Sequence, residues 1–204
     1  PQVEWFYHYR GVLLKHTKYT TEVMNQHLPA YCGCCFLMAS VQMMTDRFHI
    51  LHESEQTLNV QDAIDRYWSS SRNPCTGGDP VKFLNEIEYL HNTGPSYSAV
   101  ASCNAETLPF RALRKFKMES VHSWQGRNSD FIKKRIAAYG PVLLAVDAMP
   151  LMEEQFRGVV GQCSSPSPKK SLDHIVCVVG WTDDDKWIVR NTWGKRPSQA
   201  QSRP

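Results

Sequence analysis

At 204 residues the chain is long enough for one large core or two smaller lobes, and 42% hydrophobic with 21% charged residues is ordinary globular composition. No apolar run reaches the roughly 18 residues of a membrane-spanning helix. The net charge of +3 comes from Lys and Arg scattered as on a solvated surface, which argues against a nucleic-acid interface. The chain opens on Pro rather than Met and shows no signal-like apolar segment, so it reads as a processed or trimmed form whose targeting information lies elsewhere. Seven cysteines leave at least one thiol outside any pairing. Cys34, Cys103, Cys163 and Cys177 have no obvious partners in sequence, which is unusual for an oxidising compartment and leaves an intracellular location open.

Residues 1–23, aromatic and basic without a clear period, read as an extended arm over the surface. The stretch Gln26-His27-Leu28-Pro29-Ala30-Tyr31-Cys32-Gly33-Cys34-Cys35-Phe36 is a glycine-hinged cysteine cluster that runs into an amphipathic helix, because Leu37, Val41, Met44 and Phe48 recur on one helical face. Cys35 stands at the start of that helix. Unpaired N–H groups and the positive end of the macrodipole favour an anion there, so the thiol is expected to be biased toward thiolate. A short helix follows around Asn59 to Tyr67, with Leu58, Ile64 and Tyr67 as apolar contacts. Pro74-Cys75-Thr76-Gly77-Gly78 is a tight, glycine-permitted turn. Asp79 as cap and Pro80 at the first helical position open a third helix, with Val81, Leu84, Ile87 and Leu90 facing inward and Asn92-Thr93-Gly94-Pro95 as its stop. Pro95 to Gln125 has no sharp period. Ser129 then reads as the cap of a helix striped by Ile132, Ile136 and Tyr139 and closed by Gly140-Pro141, with Val142 to Val146 as a buried strand. Ser164 to Lys170 is a Ser/Pro/Lys loop. Leu172 to Trp181 is a strand-like run with His174 near its head, and Lys186 to Gly194 is a second strand that carries Asn191.

A cysteine at a helix start with a later His and a later Asn at strand ends supplies a nucleophile, a base and a group to orient the base. On Gln26, Cys35, His174, Asn191 and Trp193, and over most of the chain from Gln26 to Gly194, the sequence resembles the papain-like cysteine peptidases. Within them it is most similar to the cathepsin Z (cathepsin X) branch of lysosomal carboxypeptidases. The resemblance implies an α+β fold of two lobes: a helical left lobe, residues 24–119, carrying the nucleophile, and an antiparallel β-barrel right lobe, residues 1–23 and 120–204, carrying His and Asn. It implies that Cys35 sulfur attacks the scissile carbonyl, that His174 forms an ion pair with it and protonates the leaving amine, and that Asn191 orients His174. Gln26 and the Cys35 N–H would form the oxyanion hole. Trp193 would shield the Asn191–His174 hydrogen bond, with plain core packing as a compatible reading.

The same resemblance makes Gly77 and Gly78 part of a substrate-cleft wall, tied to the nucleophile motif by a Cys32–Cys75 disulfide. Gln26 and Cys35 are nine positions apart, a longer interval than in ordinary family members and one shared with the cathepsin Z branch. The inserted loop carries His27, which resembles the histidine that holds a substrate's terminal carboxylate in that branch. Peptides or proteins are the implied substrates, a lysosomal or secreted location is implied, and no cofactor is. A zinc site on Cys32, Cys34, Cys35 and Cys75 fits the spacing poorly, because adjacent Cys34 and Cys35 cannot easily both point at one ion.

Several positions depart from the family. Cys34 replaces a serine, Phe36 a tryptophan, and Leu37-Met38 smaller residues, which crowds the helix start. A second family disulfide would need a cysteine where Arg66 stands, leaving Cys103 without its partner. After Gly194 the family continues into another barrel strand, whereas Lys195 to Pro204 is polar and proline-punctuated. The last barrel strand is therefore expected to be missing and its edge covered by a partner chain or by residues 1–23. Two functional classes follow: a cysteine carboxypeptidase, or a non-catalytic papain-like module serving as a structural subunit.

Overall fold

A computed structural model describes residues 19–53, 57–68, 72–87, 90–91, 115–116, 120–126, 128–154 and 172–194. The longest element is α1, Cys35–His52. The spacing of Leu37, Val41 and Met44 predicts one apolar face, but every residue from Cys35 to Asp46 is buried. Polar Ser40, Gln42, Thr45 and Asp46 disguise this in the sequence. Two of them are accommodated by bonding back along the helix, Ser40 Oγ to Phe36 O at 2.6 Å and Thr45 Oγ1 to Val41 O at 2.9 Å. Phe48 is only partly buried.

Two short helices pack on one side of α1. Helix α2, Val60–Tyr67, starts where the Asn59 side chain accepts from the Gln61 and Asp62 N–H groups. Helix α3, Pro80–Glu86, starts at Asp79, which accepts from Val81 and Lys82, with Pro80 at its first position. Ile87 caps its end, so α3 stops a turn short of the expected length; Leu90 belongs instead to β1, Leu90–His91, paired antiparallel with β2, Lys115–Phe116. Phe83, which the expected stripe left out, is fully buried.

On the other side of α1 lies an antiparallel sheet in the order β3, Val142–Val146; β4, His174–Trp181; β5, Trp187–Arg190. A bulge between Val178 and Gly180 shifts the β4–β5 register. Helix α4, Ser129–Tyr139, precedes β3 and is capped by Asn128 rather than Ser129, the Asn128 side chain accepting from Phe131 N at 3.0 Å. Ile136 is buried beneath it, while Tyr139 at the expected apolar position is exposed. Strand β3 is buried only at Val142 and is followed by helix α5, Ala148–Glu154, which the sequence reading missed. The fold is α+β, and among the described residues the sheet does not close into a barrel. The expected arm lies outside the described residues as far as position 18, as do Cys103, Cys163, the Ser164 to Lys170 loop and the polar tail.

Phe36 shows how the helix start absorbs its bulk. Its ring meets Tyr67 of α2 and Phe83 of α3 edge-on, with centroids 5.5 and 6.1 Å away. It also rests on Gly78, where an added Cβ would stand 2.5 Å from the ring. Gly78→Ala is expected to cost about 1–3 kcal/mol of stability by overpacking. Adding Phe36→Leu should recover most of that loss. Urea midpoints of the parent and both variants measure this, and a Gly78→Ala midpoint equal to the parent's would show that the ring has room to move.

Candidate active site

Cys35 is the first residue of α1, and its N–H is among those a helix leaves without an intrahelical partner. Main-chain N–H groups of Ile175 and Phe36 hydrogen-bond its thiol. Ile175 follows His174 on β4, so the helix start and the head of the strand meet at this point. His174 is 4% exposed. Its Nε2 lies 2.7 Å from Asn191 Oδ1, just past the end of β5, and the Trp193 indole stacks on its ring with centroids 4.7 Å apart. Asn191 Oδ1 also accepts from Thr192 N at 2.8 Å, which orients the amide with its oxygen toward the histidine. Nε2 is therefore the protonated nitrogen, and Nδ1 is left to take a proton.

Gln26 is held at every polar atom. Its N–H donates to Thr192 O at 2.7 Å, its carbonyl accepts from Cys32 N at 2.9 Å, its Nε2 donates to Cys32 O at 3.1 Å, and its Oε1 accepts from Thr192 Oγ1. One Nε2 proton remains for another acceptor. Thr192, fully buried between Asn191 and Trp193, joins Gln26 to the strand end; nothing in the sequence reading marked it. Gly194 N donates to Met24 O at 2.9 Å, and Asn25 forms an antiparallel bridge with Trp193.

The Cys32–Cys75 disulfide is present, which removes two of the four cysteines a zinc site would need. Gly33 N donates to Cys75 O at 2.9 Å, and a Cβ on Gly33 would come 2.6 Å from that oxygen, so a glycine is required where the Cys75 turn crosses the loop before α1. Gly77 adopts φ +93° with open space around it. Among the described residues no group of three or more His, Cys, Asp or Glu could hold a metal ion, and no helix is long and apolar enough to cross a membrane. His27 lies exposed on the inserted loop, its N–H bonded to Asn25 Oδ1. Its ring sits 5.3 Å from Tyr31 and 6.0 Å from Trp193. Cys34 is wholly buried.

The thiolate bias expected at the helix start is overturned. Burial pushes the Cys35 thiol up, and the hydrogen bonds from Ile175, Phe36 and its own N–H do not overcome it. Burial also pushes the His174 imidazole down, against the Asn191 hydrogen bond that raises it. Neither charge is favoured alone. Proton transfer from Cys35 to His174 would create both together, and their attraction in a low dielectric offsets the two desolvation penalties.

A family model for papain family cysteine proteases matches residues 12–199. The chain is 26% identical over 198 residues to cathepsin Z of Onchocerca volvulus, covering 86% of this chain and 62% of the relative. It is 28% identical over 182 residues to cathepsin O of Mus musculus, covering 84% and 54%. With the viral cathepsin of Heliothis zea nuclear polyhedrosis virus it shares 26% over 191 residues, covering 89% and 48%. The chain thus spans about half to three-fifths of the length of these relatives. Among solved structures, digestive procathepsin L 3 of Tenebrio molitor larval midgut superposes with a TM-score of 0.61 at 18% identity, over 87% of this chain and 58% of that one.

The lowered basicity of His174 sets a pH dependence. Unfolded histidine titrates near about 6.5, and the folded group titrates lower, so between those values the unfolded chain binds more protons. The stability this contributes is intact above about pH 6.5 and is lost as pH falls toward the folded value. The denaturation midpoint should therefore drop on acidification through that window, and His174→Gln should flatten this part of the profile. Parallel profiles for the two proteins would refute the assignment.

Proposed function

Because the chain belongs to the papain family of cysteine proteases, we propose that it is a thiol-dependent peptidase, with Cys35 as nucleophile, His174 as base and acid, and Asn191 as the group that orients the histidine. The observation that carries this reading is the His174 ring, bonded to Asn191 and backed by Trp193, on the strand whose next residue, Ile175, turns its N–H to the buried thiol at the start of α1. Cys35 passes its proton to Nδ1 and attacks the scissile carbonyl. The resulting oxyanion meets the Cys35 N–H and the remaining Nε2 proton of Gln26; a donor of this kind is typically worth about 10²–10³ in kcat. His174 then protonates the leaving amine, and water releases the acyl group. Residues 24–119 carry the nucleophile in one lobe, and residues 1–23 with 120–204 carry the histidine and asparagine in the other.

Within this class the reading is a carboxypeptidase similar to the cathepsin Z branch. His27, exposed on the inserted loop and 6.0 Å from the Trp193 ring, is positioned to bind a substrate carboxylate. Gly77 and Gly78 form the wall along which the peptide lies. The relatives' class points to a lysosomal or secreted setting. A second reading, a non-catalytic subunit with a partner strand on the sheet edge, draws on β5 having a strand neighbour on one side only among the described residues.

Peptide hydrolysis under reducing, mildly acidic conditions separates the two. Cys35→Ala should abolish turnover, and Cys34→Ser should retain most of it; equal loss in both, or an inert parent protein, favours the subunit reading. Peptides with a free C-terminus should lose one residue at a time, and amidated ones should be poor substrates. Should His27→Ala keep that preference, the loop plays no part in carboxylate recognition.

A further inference from the structure

Three turns below the nucleophile, α1 carries an acid that the chemistry above does not use. Asp46 is eleven positions after Cys35, and at roughly 100° per residue the two lie within about 20° of each other around the helix. Asp46 is wholly buried, and its Oδ2 stands 2.6 Å from Arg190 Nη2, the last residue of β5, which is 5% exposed. Arg190 Nη1 also donates to Thr21 O at 3.2 Å and Thr21 Oγ1 at 2.8 Å, while Thr21 N donates to Asp46 Oδ1 at 2.7 Å. Arg190 Nη2 reaches the Cys177 sulfur at 3.5 Å on the neighbouring strand. One guanidinium thus holds the nucleophile's helix, the segment leading to Gln26, and β4 and β5. Arg190 is followed directly by Asn191.

We infer that Asp46 and Arg190 are positioning residues that fix the register of α1 against β4 and β5, and through it the alignment of Cys35 with His174 and Asn191. The inference rests on the peptidase reading, since alignment matters only if these groups react together. The planar fork of an arginine suits the role, because several acceptors are met at once from fixed directions, which a lysine ammonium cannot reproduce. Arg47, the half-buried cation next to Asp46 in sequence, donates its Nε to Pro141 O at 2.9 Å and so is tied to the loop before β3 rather than to Asp46. Nucleophile and base must meet within a narrow geometry, and displacement of about 1 Å is enough to cost about 100-fold in rate.

The test compares the parent with Asp46→Asn, Arg190→Lys and the double variant Asp46→Leu/Arg190→Met, which strands no buried charge and keeps the test open if a single variant fails to fold. Folded fractions are equalised by near-ultraviolet circular dichroism. For the folded variants kcat should fall about 10–100-fold while KM changes less than about threefold. The His174 ring, followed by NMR, should titrate at a lower pH than in the parent because its Asn191 bond is slackened, and Arg190→Lys should fall between the parent and the double variant. Parental kcat in the folded double variant overturns the inference. So does a fall in kcat with His174 titrating as in the parent, since the loss would then not pass through Asn191. If the parent cleaves no peptide, the peptidase reading fails, and the His174 titration alone decides whether the pair aligns the site: a shift upholds the alignment, and none overturns it.

Discussion

A helix buried on every side is the constraint from which the rest of this structure follows. Helix α1 has no solvent face between Cys35 and Asp46, so partners must cover it all round. Apolar side chains of α2 and α3 cover one side, and Ile175 and Cys177 of β4 cover the other. This arrangement carries a helix N-terminus to the head of a strand, which is how a cysteine and a histidine far apart in sequence meet. The cost lies in the polar residues carried inside. Ser40 and Thr45 satisfy themselves on their own helix, Asp46 needs Arg190, and Gln42 donates to Glu22 O while its Oε1 finds no donor among the described residues. Removing one member of such a buried ion pair typically costs about 3–5 kcal/mol, because the other is left charged and dry. The pair is thus a condition that sandwiching this helix imposes, and only secondarily a source of stability.

How much of this could be read from the sequence depended on how local the cause was. Caps and turn glycines act over a few residues, and Asp79 and Pro80 were legible for that reason. Asn128 in place of Ser129 was a choice between adjacent capping residues, which composition cannot decide. Cys35, His174 and Asn191 were legible because their chemical types are rare together at element ends. Thr192 and Arg190 were not, although they flank Asn191 on either side, because their partners Gln26 and Asp46 lie more than a hundred residues away. The expected thiolate failed for a related reason: the helix-start effect is local, while the burial that outweighs it is set by the packing of the folded chain around Cys35. The short strands β1 and β2 and helix α5 carry too little periodic pattern to declare themselves.

The sheet edge was expected to be covered by residues 1–23 or by a partner along Lys186 to Asn191. Among the described residues Thr21 meets that edge only at Arg190, and the segment leading into the loop before α1 pairs just past the end of β5, with Met24 O receiving Gly194 N and Gln26 N reaching Thr192 O. This pairing also explains why Gln26 is so firmly held: the segment that supports the strand end is the one that carries it. Gly194 takes φ +82° and packs against Asn25, where a Cβ would come 2.7 Å from the amide, so the crossing demands a glycine on one side and a short polar residue on the other.

Trp193 stands between two histidines, and this links recognition to chemistry on the proposed reading. Its ring stacks on His174 and meets His27 edge-on. Positive charge at His27 lowers the basicity of His174, adding to the effect of burial. On that reading a charge at His27 works against an imidazolium at His174. A substrate carboxylate held at His27 would cancel that charge and relieve the repulsion, so that binding the correct end of a peptide itself favours transfer of the Cys35 proton. An amidated end would occupy the same place without that effect. Discrimination between the two then falls on the chemical step as well as on binding.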